Sequence, residues 1–294
     1  MQAMSTVVSM APRPLRRLSG RVVRRLRWEW ERNRPLPRPR YAPSAPRVEG
    51  RAELDLYYPP NGPTLAAAAL SPEATDFVAG VLGKLTPTQE IADQLFFYGW
   101  GQGKFGKHWR FADITTVLWA ACVFLRPTSY LEIGVRRGRS AAIVAAASPR
   151  CSIYGFDLWI PDYAGGENPG PNFARSELQA AGHTGELVLV PGDSKQTVPA
   201  FLGEHPDLFL DLITVDGDHS VLGAAADLAN TLPRLKVGGI LVFDDLCSAP
   251  LLQRVWERMV KRDTRFVTWE FTEAGYGVAA AIRISDEPII GGFG

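Results

Sequence analysis

The sequence predicts an α/β fold: a doubly wound, seven-stranded, mostly parallel sheet with a C-terminal antiparallel hairpin and an N-terminal helical extension. Three observations lead to it. From Ser129 onward, short apolar runs of strand length alternate with helical segments, the pattern of βαβ units. The last two runs are separated only by "TEAG", too short for a crossover, so they must pair antiparallel. A hydrophobic content of 46% in 294 residues is enough to bury a sizeable core.

Taken in order, residues 1–14 read as disordered. From Leu15 to Trp30, apolar residues recur as Leu15, Leu18, Val22, Leu26 and Trp30 with arginines between them, the spacing of a basic amphipathic helix. Such a helix is either a solvated or self-associating element or a contact for an anionic lipid surface or a polyanion. "RPLPRPRYAPSAP" is a linker, because each proline removes a donor and restricts its predecessor. Residues 1–70 are therefore set apart as helix and linker. Residues 71–128 form a helical layer, in which Ser71 precedes Pro72 as an N-cap and Ala112–Leu125 is a further helix. Between them "GWGQGKFGKHWRF" reads as a glycine-rich, aromatic and basic loop.

Residues 129–294 form the main domain. Strands are expected over 129–133, 151–157, 186–191, 209–216, 238–244, 265–271 and 276–284. Helices are expected over 139–147, 173–182, 195–202, 220–234 and 250–262.

Charge is unevenly spread. Residues 11–40 hold eleven Arg against Glu29 and Glu31, while the remainder holds 21 basic and 29 acidic residues. Cys122, Cys151 and Cys247 are widely spaced and form no C-x-x-C pair, which argues against a disulfide framework or a thiolate zinc site. A cytoplasmic protein, peripherally membrane-bound through its basic helix, fits these features. The Arg-rich start also suits an organellar presequence.

"YLEIGVRRGRSAA" is a strand, then Glu132, Gly134 and Gly138 in E-x-G-x-x-x-G spacing, then a helix. The glycines let backbone approach a ligand, and the helix N-terminus favours negative charge. The same loop is equally a tight turn, Asp157 equally a loop cap, and Asp193 equally the N-cap of the helix at Ser194. The spacing differs from the dinucleotide fingerprint G-x-G-x-x-G. It resembles the first motif of the class I S-adenosylmethionine-dependent methyltransferases, over roughly 129–284. That resemblance implies a Rossmann-like methyltransferase fold. It implies that Glu132, Gly134 and Gly138 line the methionine end of the cofactor, that Ser140 bonds its carboxylate, that Asp157 takes the ribose hydroxyls and that Asp193 sits beside the adenine.

"ITVDGDHSVLGAAADL" places Asp216 at the end of the fourth strand, and "GGILVFDDL" places Asp244 and Asp245 at the end of the fifth. Parallel strands open these ends onto one crevice, where three carboxylates repel unless a cation relieves them. Oxygen ligation suits Mg2+ or Mn2+; the alternative is that the paired acids cap the following loop. Asp216 counts with both the cofactor-lining and the metal-binding residues. His219, at the start of the next helix, is expected to be neutral and able to accept a proton; its alternative is a packing or capping role. His183 and His205 lie in helix-to-strand connections and read as solvated, whereas His108 and Trp109 sit in a loop able to face the cleft.

"DGDH" followed by "DD" resembles the metal-dependent sugar O-methyltransferases of the macrocin and mycinamicin type. The resemblance implies a metal on Asp216, Asp244 and Asp245, with His219 as general base in methyl transfer to a hydroxyl of a sugar or glycosylated small molecule. Asp244 stands where that family can carry Glu, and its reach is shorter. A cephalosporin hydroxylase shares the motif, so a metal-dependent hydroxylase is the rival activity, and a non-catalytic cofactor-binding protein is a second rival. "WIPDYAGGENPGPNF" reads as a lid whose Tyr163, Glu167 and Asn168 touch the acceptor. No "NPPY"-type motif argues for a nucleic-acid substrate. The apolar helical layer argues for a homo-oligomer.

Overall fold

A computed structural model describes residues 20–41, 44–48, 62–161, 168–248, 250–273 and 275–288. The chain divides into two units, Met1–Pro35 and Leu36–Gly294. The first holds α1 (Gly20–Asn33), where Arg32 lies over the Trp28 ring and Arg34 over Trp30. Residues 1–19, and with them the start of the predicted helix, lie outside the described residues.

In the second unit, four α-helices precede the sheet among the described residues: α2 (Gly62–Ala69), α3 (Pro72–Leu82), α4 (Gln89–Phe105) and α5 (Ile114–Leu125). Their starts follow local chemistry. The Ser71 hydroxyl accepts from Ala74 N–H, and Thr88 accepts from Ile91 N–H. Asp113 and Thr116 form a reciprocal capping box at the start of α5. The glycine-rich stretch expected as a loop instead continues α4 to Phe105. Gly101 explains this, because the Trp109 indole lies where its Cβ would be, 2.3 Å away. Packing against Trp109 thus offsets the low helix propensity of three glycines.

The strands are β1 (Ser129–Ile133), β2 (Ser152–Asp157), β3 (Leu187–Pro191), β4 (Leu210–Val215), β5 (Leu235–Phe243), β6 (Phe266–Phe271) and β7 (Val278–Arg283). They form one sheet in the order β3-β2-β1-β4-β5-β7-β6. All neighbours are parallel except β7, which runs antiparallel to both β5 and β6. This is the doubly wound sheet expected from the sequence, terminal hairpin included. Strand β5 starts three residues earlier than expected, and its pairing with β4 shifts between Leu210 and Leu212.

Alternate side chains enter two cores. Tyr130, Leu212, Ile240 and Val242 pack with α2, α3, α5 and α6 (Arg139–Ala147) on one face. Leu131, Ile133, Ile213, Val215 and Phe243 face the other side. There they meet α8 (Ser194–Glu204), α9 (Val221–Thr231) and α10 (Pro250–Trp256). Helix α7 (Pro171–Ala180) contributes Leu178 to the first core. Residues 44–48 join the sheet margin through a parallel bridge from Arg47 to Val237. The strand order reverses between β1 and β4, so their C-terminal ends open the crevice where such sheets bind ligands.

Candidate functional site

The site begins where β1 hands over to α6. Gly134 adopts φ +96°, donates to Phe156 O at 2.8 Å, and lies so close to β4's exit that a Cβ would fall 1.9 Å from Asp216 O. Only glycine fits there. Gly138, at φ +86°, turns the chain into α6, with a Leu178 methyl 2.9 Å from where its Cβ would sit.

Glu132, one residue before the end of β1, is fully buried. The Ser140 hydroxyl donates to its Oε1, and its Oε2 has no partner. Burial raises its pKa to about 8, with the charge of Asp216 adding to the shift. An unpartnered carboxyl oxygen beside two glycines suits a cationic ammonium or sulfonium group. The turn from β1 into α6 brings Glu132, Gly134, Gly138 and Ser140 close together.

Asp157 ends β2 and holds the loop rather than standing free. Its Oδ2 accepts Arg136 N–H at 2.7 Å and its Oδ1 accepts Trp159 N–H at 2.5 Å. Trp159, at φ +43°, returns its indole N–H to Arg136 O at 2.9 Å, so Asp157 and Trp159 clamp the glycine loop from both sides. Asp193 follows β3 and N-caps α8, accepting Lys195 N–H at 3.0 Å. Next to it, Ser194 donates to Asp227 Oδ1 at 2.7 Å. Asp227 is fully buried in α9, its other oxygen is unpartnered, and burial raises its pKa to about 7.

The tips of β4 and β5 bring Asp216, His219 and Asp245 together. One ligand atom from each lies within 4.8 Å of the others. His219 Nε2 is 3.0 Å from Asp245 Oδ2 and 3.6 Å from Asp216 Oδ1. Two carboxylate oxygens beside an imidazole form a donor set that suits a hard divalent cation.

Asp244 does not share in this triad, contrary to the expectation that it binds the metal alongside its neighbour. Its backbone still pairs with Val215 O, whereas Asp245 turns out of the sheet at φ +56°. Burial, then the charges of Asp216 and Asp245, hold Asp244 well above the usual carboxylate range.

His219 is expected to be neutral beside a cation and a helix start; the protein groups without a cation act the other way. Hydrogen bonds to Asp216 and Asp245 raise its pKa to about 10, so the protein groups alone favour imidazolium. The start of α9 lies beyond it, with Ser220 as N-cap. Two full carboxylate charges outweigh the partial charge of a helix terminus. A neutral imidazole requires a cation that takes up the carboxylate charge.

Asp218, the other acid of this turn, is engaged elsewhere. It accepts Ser220 N–H at 2.9 Å and pairs with Lys195 at 3.2 Å. His183 is not solvated but buried, its Nε2 2.8 Å from Cys151 O, while His205 is exposed. His108 is exposed, and Trp109 is committed to ring packing with Phe97, Tyr98 and Phe111 rather than to the cleft. Tyr163 and Glu167 lie outside the described residues; Asn168 is half-buried with Oδ1 unpartnered. Arg136, Trp159 and Asp227 are not among the site residues expected from the sequence. Arg136 lies within the glycine motif and Trp159 two residues after Asp157, which is the signal that marks them.

A family model described as a methyltransferase domain matches residues 131–246, from β1 to the turn after β5. No curated protein matches the chain. Among solved structures, the chain is similar to the calicheamicin methyltransferase CalS11, with 25% identity over 72% of this chain and 91% of that one, and a TM-score of 0.44. It is similar to a putative O-methyltransferase from Klebsiella pneumoniae, with 20% identity, 79% and 95% coverage and a TM-score of 0.47. It is also similar to the O-methyltransferase TomG from Streptomyces achromogenes, with 18% identity, 57% and 78% coverage and a TM-score of 0.46. At such scores, the observed strand order carries the fold and these likenesses do not.

Proposed function

We propose that this chain, which matches a methyltransferase domain over residues 131–246, is an S-adenosylmethionine-dependent O-methyltransferase that methylates a hydroxyl of a sugar or a glycosylated small molecule, with a divalent cation on Asp216 and Asp245 and His219 as general base. One observation carries the reading. Asp216, His219 and Asp245 meet at two neighbouring strand tips, and the backbone of Asp216 presses against Gly134 of the glycine loop. Donor and acceptor sites would therefore share a wall.

When bound, S-adenosylmethionine supplies an electrophilic methyl, and Mg2+ or Mn2+ supplies Lewis acidity that lowers the pKa of a hydroxyl. Glu132, Gly134, Gly138 and Ser140 would hold the methionine end, Asp157 the ribose and Asp193 the adenine side. Asp216 and Asp245 would set the direction of the acceptor, and a vicinal diol is the natural chelating partner. His219 would take the hydroxyl proton at Nε2, the nitrogen that faces both carboxylates. Asp244, held towards its neutral form by burial, would not ligate. General-base assistance is worth roughly 10²–10⁴-fold, and fixed geometry adds to it.

The test is mass spectrometry of glycosylated metabolites incubated with the protein and S-adenosylmethionine, with and without Mg2+. A mass gain of one methylene on the acceptor, together with S-adenosylhomocysteine, supports the reading. An oxygen-dependent product would favour the hydroxylase instead.

A further inference from the structure

Helix α4 and the turn after it expose an unusual run of aromatic rings. Phe96 is 76% exposed, Trp100 46%, Phe105 45% and Phe97 38%. Large rings at such exposure, grouped on one element, mark an interaction surface rather than scattered apolar residues. Gly99 and Gly103 add no side chain between them, and a Cβ at either would meet nothing within 4 Å. The rings are braced from behind: Phe97 packs edge-on against Phe111 at 4.9 Å and Trp109 at 5.6 Å.

The charge on this stretch is of one sign. From Gln94 to Ala112 there is no acid, while Lys104, Lys107 and Arg110 are all exposed. Lys104 Nζ lies 4.8 Å from the Trp100 ring centroid and 5.2 Å from that of Phe105, so cation and rings form one surface.

We propose that this face, from Phe96 to Arg110, docks on the headgroup layer of an anionic phospholipid bilayer. Aromatic rings settle at the depth where water gives way to acyl chains, and Lys and Arg reach back to phosphate. A symmetric pairing with a second copy is disfavoured, because it sets Lys104, Lys107 and Arg110 against their own counterparts. Among the described residues, no single helix is long and apolar enough to cross a membrane.

Co-sedimentation of the full chain with vesicles tests this, using equal parts phosphatidylcholine and phosphatidylglycerol against phosphatidylcholine alone. The wild type should pellet with the anionic vesicles and be released by high salt. Because α1 is itself basic, variants on α4 and its turn decide the matter. The triple substitution K104E, K107E and R110E should weaken partitioning at least about tenfold, and the pair F96S and W100S should also weaken it. All five positions are exposed, so melting followed by circular dichroism should be unchanged; if one variant fails to melt like the wild type, the other decides. The proposal is overturned if the wild type ignores anionic vesicles, or if the folded variants bind as it does. It is also overturned if sedimentation equilibrium without lipid shows a dimer that these substitutions dissociate.

Discussion

His219 Nε2 sits 3.0 Å from Asp245 Oδ2, a contact between residues separated by a helix and a strand that closes the gap between two strand tips. It makes the imidazole part of an acid cluster rather than an isolated base. The protonation of His219 is therefore tied to whatever else binds these carboxylates.

That tie has a pH signature. In cation-free protein the folded pKa of His219, about 10, lies above its unfolded value of roughly 6.5. Its stabilising contribution is full below about pH 6.5 and lost as pH rises towards 10. In the presence of a chelator, the melting-temperature advantage of wild type over His219→Gln should shrink across that window. An advantage that does not change with pH would show that the carboxylates do not hold the proton.

Catalysis should suffer more than binding. His219→Gln is expected to lower turnover by roughly 10²–10⁴-fold and to leave S-adenosylhomocysteine affinity within about twofold, because the residue faces the acceptor side. Single-turnover kinetics beside calorimetry separates the two effects. Equal losses in both would assign His219 to the cofactor pocket.

Gly134→Ala should be far more damaging than its size suggests. The new methyl would overlap the Asp216 carbonyl, and the backbone is at φ +96°. A destabilisation of about 3 kcal/mol or more is expected from overlap and strain together. Gly138→Ala, which meets a Leu178 methyl at 2.9 Å and the Ala174 backbone only at 3.5 Å, at φ +86°, should cost less, about 1–2 kcal/mol. Urea denaturation measures both.

Asp227 makes a second pH prediction, of opposite origin. Burial raises this acid from 3.8 to about 7, so the folded state binds the extra proton, and stability falls as pH climbs from about 4 to 7. Asp227→Asn keeps an acceptor for Ser194 and removes the ionisable group. It should flatten that slope, leaving the variant more stable than wild type at pH 8. A slope equal to wild type would place the proton elsewhere.

Much of this architecture could be read from residue order. Strands buried on both faces appear as unbroken apolar runs, and the loops after them collect Asp157, Asp193, Asp216 and the Asp244–Asp245 pair. What escaped was decided by distant packing. Gly99 to Gly103 read as a loop until Trp109 is seen filling the space over Gly101. His183 read as solvated because nothing local hints that Cys151 O approaches it. Asp227 lies on the inner face of α9 with Ala224, Leu228 and Thr231, yet an acid in an alanine-rich helix shows its burial only in three dimensions. Asp245, which joins the triad, adopts a positive φ, which residue types do not reveal.

The central claim is that Asp216 and Asp245, not Asp244, hold a divalent cation beside His219. Calorimetric titration of Mn2+ into wild type, Asp216→Asn, Asp244→Asn and Asp245→Asn tests it most directly. The account predicts one site whose affinity falls at least about tenfold for the Asp216 and Asp245 variants, since affinity follows ligand charge, and stays near wild type for Asp244→Asn. No Mn2+ binding by the wild type, or a loss confined to Asp244→Asn, would contradict it.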